Sequence, residues 1–268
     1  MEVCSSDTSP TADMKTLKTL SDTEFQALFP VLEGVPSAEI TRLRAHTHKC
    51  AFKRRDTLMK QGEPGCRVLF LAHGRIKIVT SGHNAQGDIS QDRTSPGDGP
   101  QTVVSFCGHG ELLGEINALT PGGHSADVIA EEACFAWSMT VEDFLRCLAE
   151  MPRLSMNISR LLARRTRKAT EQLHIVATMS AEQRVAYNLD SIACTTGMSG
   201  TPPNPTHSNE DAAPSVTVAD LSSMCGCSSK HVQRALKKLR EAGLIERAKG
   251  RVRVLDPESL KAYALGKL

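Results

Sequence analysis

Between Asp220 and Arg253 the chain carries nine Lys and Arg side chains against three acids. That excess over a short stretch is what contact with a polyanion requires. Its spacing says as much as its sign. Thr217 precedes Asp220 by three residues, the spacing of a reciprocal cap that starts a helix, and Leu221 and Met224 give that helix a buried face. Cys225-Gly226-Cys227 then reads as a three-residue turn whose glycine can take a positive φ. Ser228 caps a second helix, with Val232, Leu236 and Leu239 on its inner face, and Gly243 ends it. Its outer face carries Ser229, Lys230, Gln233, Arg234, Lys237 and Lys238. Ile245, Val252 and Val254, around Lys249-Gly250, make a small hairpin that fits a basic wing.

Helix, glycine turn, helix is the spacing of a helix-turn-helix. The expected DNA contacts are Thr217, Ser228, Ser229, Lys230, Gln233, Arg234, Lys237, Lys249 and Arg251. The first half of the second helix would reach base edges, and Lys237, Lys238, Arg240 and the wing cations would meet phosphates. A helical hairpin with no nucleic-acid role is the plainer alternative, and cap, turn, charge and wing together count against it.

Other chemistry finds little footing. The nine cysteines are odd in number and dispersed, which indicates free thiols of a reducing compartment rather than a disulfide framework. Cys225 and Cys227 have the look of a metal pair, but small-residue packing in the turn explains them better. Cys107 and His109 could serve a thiol nucleophile only at a spacing that carries almost no specificity. There is no P-loop, dinucleotide fingerprint, G-x-S-x-G or H-E-x-x-H, so the chain is expected not to be an enzyme.

The elements that must position the basic segment follow from charge and periodicity. Residues 1–151 hold 14 basic and 20 acidic side chains, and residues 152–268 hold 18 and 10. The acidic front and basic back point to divided labour over 268 residues, long enough for two modest domains. No run of eighteen apolar residues occurs, so no membrane span is expected. The polar start from Met1 to Pro10 lacks an apolar signal core, and a cytoplasmic location is expected. Residues 1–15 read as a frayed tail. Residues 16–151 show short apolar runs at 68–71, 76–79, 103–106, 128–130 and 134–137, the texture of a sandwich or barrel. Gly82 to Pro100 reads as a long loop, as does Gly197 to Ser215.

After Pro152 the period becomes helical. Leu154, Ile158, Leu161, Leu162, Ala169, Leu173 and Val176 keep a 3-and-4 spacing with no Gly or Pro before Ser180. A helix so much longer than the usual three turns or so reads as a dimerisation spine through Ile158, Leu162, Ala169, Leu173 and Val176. Ser180 and Gln183 cap a further helix. The predicted class is α+β: a β-roll sensor over 16–151, the spine and hinge over 152–179, and a winged helix-turn-helix over 180–268.

This arrangement resembles the CRP/FNR superfamily of bacterial transcription regulators from about Phe25 to the end. Lys53 to Glu63 is similar to the basic strand and turn that open that family's β-roll. Leu69 to Lys77 resembles its next hairpin, and Gly108 to Ile116 the entry to its phosphate-binding cassette. Leu162-Ala163-Arg164-Arg165 with Gln172-Leu173 is similar to the dimerisation helix, and Gln183 to Ala186 to the helix after the hinge.

The resemblance implies a homodimer that binds double-stranded DNA, with RNA polymerase as a partner if it activates. It also implies a small-molecule effector held by Gly114, Glu115, Ile116, His124, Ser125 and Ala126, with Ala169 and Thr170 from the long helix. In cyclic-nucleotide members an Arg clamps the phosphate, and here that position is His124. Imidazole supplies neither a permanent charge nor a bidentate fork. Ala169 also lacks the hydroxyl used against adenine, so cyclic AMP is disfavoured. With only Cys4 ahead of Cys50, an iron–sulfur cluster is short of ligands. Haem stays open through His73, His109 and His124. The alternative function is a haem or cyclic-nucleotide sensor whose output is not transcription.

Overall fold

A computed structural model of the chain describes residues 20–81, 101–195, 216–248 and 251–267. The tail at 1–15, the loops at 82–100 and 197–215, and Lys249 therefore lie outside the described residues. The elements run α1 (Asp22–Leu28), a 3-10 turn (Pro30–Leu32), α2 (Ser37–Ala45), β1 (His48–Phe52), β2 (Thr57–Met59), β3 (Arg67–His73), β4 (Ile76–Ser81) and β5 (Gln101–Cys107). They continue with β6 (Leu112–Leu113), α3 (Glu115–Leu119), β7 (Asp127–Ala130), β8 (Cys134–Thr140), α4 (Val141–Glu150) and α5 (Pro152–Thr178). The last group is α6 (Ala181–Thr195), α7 (Val218–Cys225), α8 (Ser229–Glu241), β9 (Ile245–Ala248), β10 (Arg251–Val254) and α9 (Pro257–Ala264). The class is α+β, as the mixed periodicity predicts. Each apolar run between 68 and 137 lies in one of the strands β3, β4, β5, β7 and β8.

One four-stranded sheet has the order β1-β8-β3-β6, antiparallel throughout, with Leu69 opposite both Ser138 and Leu113. A second has the order β2-β7-β4-β5. By contact density the chain divides into two units. The first comprises the described residues of Met1–Ile76, Gly108–Ser125 and Ile129–Leu162, and the second those of Lys77–Cys107, Ala126–Val128 and Ala163–Leu268.

The core of the first unit is aromatic. Phe25 and Phe29 on and after α1 meet Phe70 of β3 and Trp137 of β8. The Phe25 and Trp137 rings lie edge-to-face with centroids 5.0 Å apart, an arrangement favoured by their quadrupoles. The first half of α5 closes this core with Leu154 and Ile158, and Asn157 ties it down by donating from Nδ2 to Val31 O and Glu33 O. Ile158 is 3% exposed, packed against the chain's own core, and Leu162 is partly buried beside it. The stripe has one helical phase but two environments, since further along Ala169 is exposed, Leu173 is 73% exposed and Val176 is 49% exposed.

In the second unit, α6 is packed by α7, α8 and α9. Val185 and Leu189 of α6, Leu221 of α7, Val232 and Leu236 of α8 and Leu260 of α9 are all buried. Ser180 and Gln183 form the predicted cap at the start of α6, with Ser180 N donating to Gln183 Oε1 at 3.0 Å and Gln183 N to Ser180 Oγ at 3.3 Å. No helix among the described residues is long and apolar enough to cross a membrane.

Candidate nucleic-acid interface and sensor cassette

The helix-turn-helix is built by its caps. Asp220 N donates to Thr217 Oγ1 and Thr217 N donates to Asp220 Oδ2, both at 3.1 Å, so two otherwise orphaned amides at the start of α7 are satisfied. Gly226 ends that helix in the left-handed region at φ 57, ψ 41, a conformation that costs a residue bearing a Cβ about 1–2 kcal/mol. Leu221 and Cys225 supply the buried face of α7, whereas Met224 is only half-buried. The sequence pairs Met224 with Leu221, but the residue four places along, one turn further, occupies that face.

Ser228 stands at the N-cap of α8 with an extended backbone, as expected. Its hydroxyl, however, makes no cap bond to an amide and instead lies 2.8 Å from His231 Nδ1. The first-turn amides of α8 therefore have no side-chain cap from Ser228, and the helix dipole there favours an anion such as a phosphate. Val232, Ala235, Leu236 and Leu239 face inward. Ser229, Lys230, Gln233, Arg234, Lys237 and Lys238 are exposed on the opposite side.

These cations are not equivalent. Lys238 Nζ lies 2.7 and 2.9 Å from the two carboxylate oxygens of Glu182, and that bonding holds its ammonium above the ordinary lysine range. Lys237 sits 3.8 Å from Glu241. No ion pair among the described residues engages Lys230 or Arg234. In the wing, Arg253 pairs with Glu246 in the β9–β10 register, and Val252 and Val254 are buried beneath it. Lys249 and the Arg251 side chain lie outside the described residues.

Two contacts lay beyond sequence reasoning. Lys77 Nζ of β4 lies 3.6 Å from Asp220 Oδ1, and the backbone N–H of Val103 in β5 donates to Ser223 Oγ of α7 at 2.8 Å.

The sensor cassette is organised around a second left-handed glycine turn. Gly114 takes φ 84 at the start of α3, and a Cβ there would come within 2.7 Å of Arg67 O and 2.9 Å of Met59 Cε. The turn buries Glu115 to 1% exposure and leaves Ile116 exposed. His124 is stitched to the strand-turn before β3, with Gly62 N donating to its carbonyl and its own N–H donating to Glu63 O, each at 2.9 Å. Its ring lies against Gly65, whose carbonyl accepts from Asn117 Nδ2 at 3.0 Å.

Burial lowers the pKa of His124 from its ordinary 6.5, with Glu63 pulling the other way and Arg67 adding to the fall. The imidazole is therefore neutral at neutral pH. Ser125 is exposed beside it. Of the other effector candidates, Ala126, Ala169 and Thr170 belong to the second unit, and Thr170 Oγ1 donates to Thr166 O at 3.1 Å. His73 ends β3 and His109 is exposed in the turn before β6. Among the described residues, no group of three or more His, Cys, Asp or Glu is arranged to hold a metal ion.

Known proteins match this order of parts. The cyclic nucleotide-binding domain family matches residues 49–151, and the Crp-like helix-turn-helix domain family matches residues 183–263. A Cyclic AMP receptor protein of Thermus thermophilus is 25% identical over 239 residues, covering 88% of this chain and 97% of the relative. A CRP-like cAMP-activated global transcriptional regulator of Mycobacterium tuberculosis is 25% identical over 242 residues, covering 90% and 99%. Among solved structures, FixK2 from Bradyrhizobium japonicum superposes with a TM-score of 0.62 at 13% identity, over 80% of this chain and 95% of its own. These structural likenesses concern the fold. With both domain families matched in sequence and in order, and relatives aligned along nearly their full length, the chain belongs to the CRP/FNR superfamily of transcription regulators.

Proposed function

We propose that the protein is a homodimeric, sequence-specific DNA-binding regulator whose sensor half, over 16–151, answers to an effector other than cyclic AMP. The reading rests on one observation above the rest: α8 buries its apolar stripe completely and turns Ser229, Lys230, Gln233 and Arg234 outward, with no ion pair on Lys230 or Arg234 among the described residues. Arg234 suits a bidentate pair with guanine and Gln233 an adenine edge, while Lys230 cannot accept a hydrogen bond from cytosine. Thr217, Ser228, Lys237, Lys249 and Arg251 complete the surface as phosphate contacts.

The dimer face is the exposed second half of α5, through Ala169, Leu173 and Val176. A two-fold dimer would read two half-sites about one helical turn apart, roughly 34–36 Å. RNA polymerase is a partner where the bound dimer activates, and the cytoplasm is where that DNA is met. The case against cyclic AMP is local. The relatives above are named for cyclic AMP, but a clamp needs a permanent cation, and this chain presents a half-buried neutral His124 there and Ala169 on the long helix.

A gel-shift series against a random DNA library at increasing salt tests the reading. A regulator of this kind binds and selects a two-fold-symmetric site, with log affinity falling linearly against log salt. Absence of a salt-dependent shift would overturn it.

A further inference from the structure

The turn between α7 and α8 holds two thiols. Cys225 is wholly buried on the inner face of α7, and Cys227, beyond Gly226, is half-exposed. The two residues flank a single glycine in the left-handed region, and each thiol is near enough to act on the titration of the other. Asn188 of α6, itself buried, donates from Nδ2 to Cys225 Sγ at 3.5 Å and to Arg184 O at 2.9 Å. The Arg184 guanidinium acts electrostatically on both sulfurs. Its Nη1 donates to Val176 O near the end of α5, and its Nε is buried with no acceptor among the described residues. One polar cluster thus joins the long helix, α6 and the helix-turn-helix turn.

A disulfide needs Cα atoms roughly 4.4–6.8 Å apart and converging Cβ directions. Two residues flanking a left-handed turn meet the first condition, because consecutive Cα atoms are about 3.8 Å apart and the chain folds back between them. Thiols near enough across one glycine to act on each other point to the second.

We propose that Cys225 and Cys227 are an oxidisable pair that closes to an intramolecular disulfide under hydrogen peroxide and thereby weakens DNA binding; the consequence rests on α8 being the recognition helix. Cys227 is the accessible partner. Its thiolate sulfur attacks one peroxide oxygen, the O–O bond breaks, and the leaving oxygen departs as water with the thiol's proton, so that Cys227 becomes a sulfenic acid. Cys225 sulfur then attacks Cys227 sulfur, the S–O bond breaks, and a second water carries off the Cys225 proton. Two thiols are oxidised by two electrons, one peroxide is reduced to two waters, and a dithiol reverses the bond by exchange.

The environment sets the pace. Burial, with the neighbouring Cys227 adding to it, pushes the Cys225 thiol up to about 12, and burial raises Cys227 as well. Thiolate is scarce at neutral pH, so closure is slow there and quickens with alkali, by as much as about tenfold per pH unit. The pair answers sustained oxidation rather than a brief pulse.

The S–S bond, at about 2.05 Å, is well over an ångström shorter than a thiol–thiol contact, so both residues must move. They sit where α8 is aligned: Cys227 N donates to Ser222 O at 3.1 Å, and Ser222 Oγ donates to Ser229 Oγ at 3.2 Å. Displacing this turn displaces Ser228, Ser229 and Lys230 together.

The test uses the full chain, reduced or treated with hydrogen peroxide, then alkylated without further reduction. The mass of the peptide spanning both cysteines and the affinity for library-selected DNA are both measured. The expected result is a peptide lighter by two hydrogens and carrying no alkyl group, formed faster at about pH 8.5 than at about pH 7. DNA affinity should fall at least about tenfold, as for a lost base contact, and recover with dithiothreitol. Cys227→Ser and Cys225→Ala should each keep the reduced-state affinity after peroxide. A doubly alkylated peptide when other cysteines have reacted, or a cross-link to a third cysteine, overturns the pairing. A closed disulfide that binds DNA undiminished overturns the consequence. Failure of the reduced protein to bind DNA overturns the DNA-binding reading instead, and the peptide mass still decides the disulfide.

Discussion

Val103 donates its backbone N–H to Ser223 Oγ at 2.8 Å, so the outermost strand of the second sheet is bonded to the first helix of the helix-turn-helix. Beside it Lys77 faces Asp220, the same carboxylate that caps α7. Val103 is buried, and an edge strand that buries an amide must find it an acceptor. Ser223→Ala should therefore lower the unfolding free energy by about 1–3 kcal/mol, the cost of a buried donor left unmade. Urea denaturation would show it as a lower midpoint at unchanged slope. Asp220→Asn should cost less, since it keeps a capping acceptor and gives up only a partly exposed ion pair.

Arg234 and Lys237 lie one turn apart on the same helix and should fail differently. Arg234→Ala should cost about 1–3 kcal/mol on the selected site and relax the preference at one base pair. Lys237→Ala should weaken all sequences nearly alike and flatten the salt slope by about one contact. Fluorescence anisotropy over a salt series, on the selected site and on single-base variants, separates the two.

Leu173 and Ile158 belong to one sequence stripe but meet different neighbours. Leu173→Glu with Val176→Glu should give monomers in sedimentation with unfolding stability nearly unchanged, because both side chains are exposed on a single chain. Ile158→Ala should leave assembly intact and cost stability, about 2–5 kcal/mol for a buried aliphatic truncation. Monomers from the Ile158 variant, or dimers from the double variant, would move the interface.

That contrast marks what is legible in the sequence. Periodicity fixed the phase of α5, and the caps at Thr217-Asp220 and Ser180-Gln183 fixed where helices start, because both are local relations of three or four residues. It could not say what covers each turn of the stripe, which depends on partners far along the chain. The bond from Val103 to Ser223 spans 120 positions and leaves no periodic trace. Two short helices, α4 and α9, escaped notice although Thr140 with Asp143 and Asp256 with Pro257 carry ordinary start signals. Each follows its strand with two residues or fewer between. Lys238 was legible as a cation but not as one bonded to Glu182, which lies on another helix.

His124 gives a prediction with a definite sign. Burial depresses its pKa below the ordinary 6.5, so the unfolded chain takes up this proton at a higher pH than the folded one. Stability contributed by keeping the ring neutral is then fully present above pH 6.5 and is lost as pH falls through the folded value. An anion bound beside the ring reverses the preference, since it favours imidazolium. Affinity for a cyclic nucleotide should thus be negligible at neutral pH and rise on acidification, by no more than about tenfold per pH unit for one proton. His124→Arg should raise the affinity at neutral pH and abolish its dependence between about pH 5 and pH 7, because guanidinium does not titrate there. Calorimetry with cyclic AMP on both proteins across that range reads both effects. Tight binding by the native chain at neutral pH, or a pH dependence that survives in the Arg variant, would place the phosphate clamp on other residues.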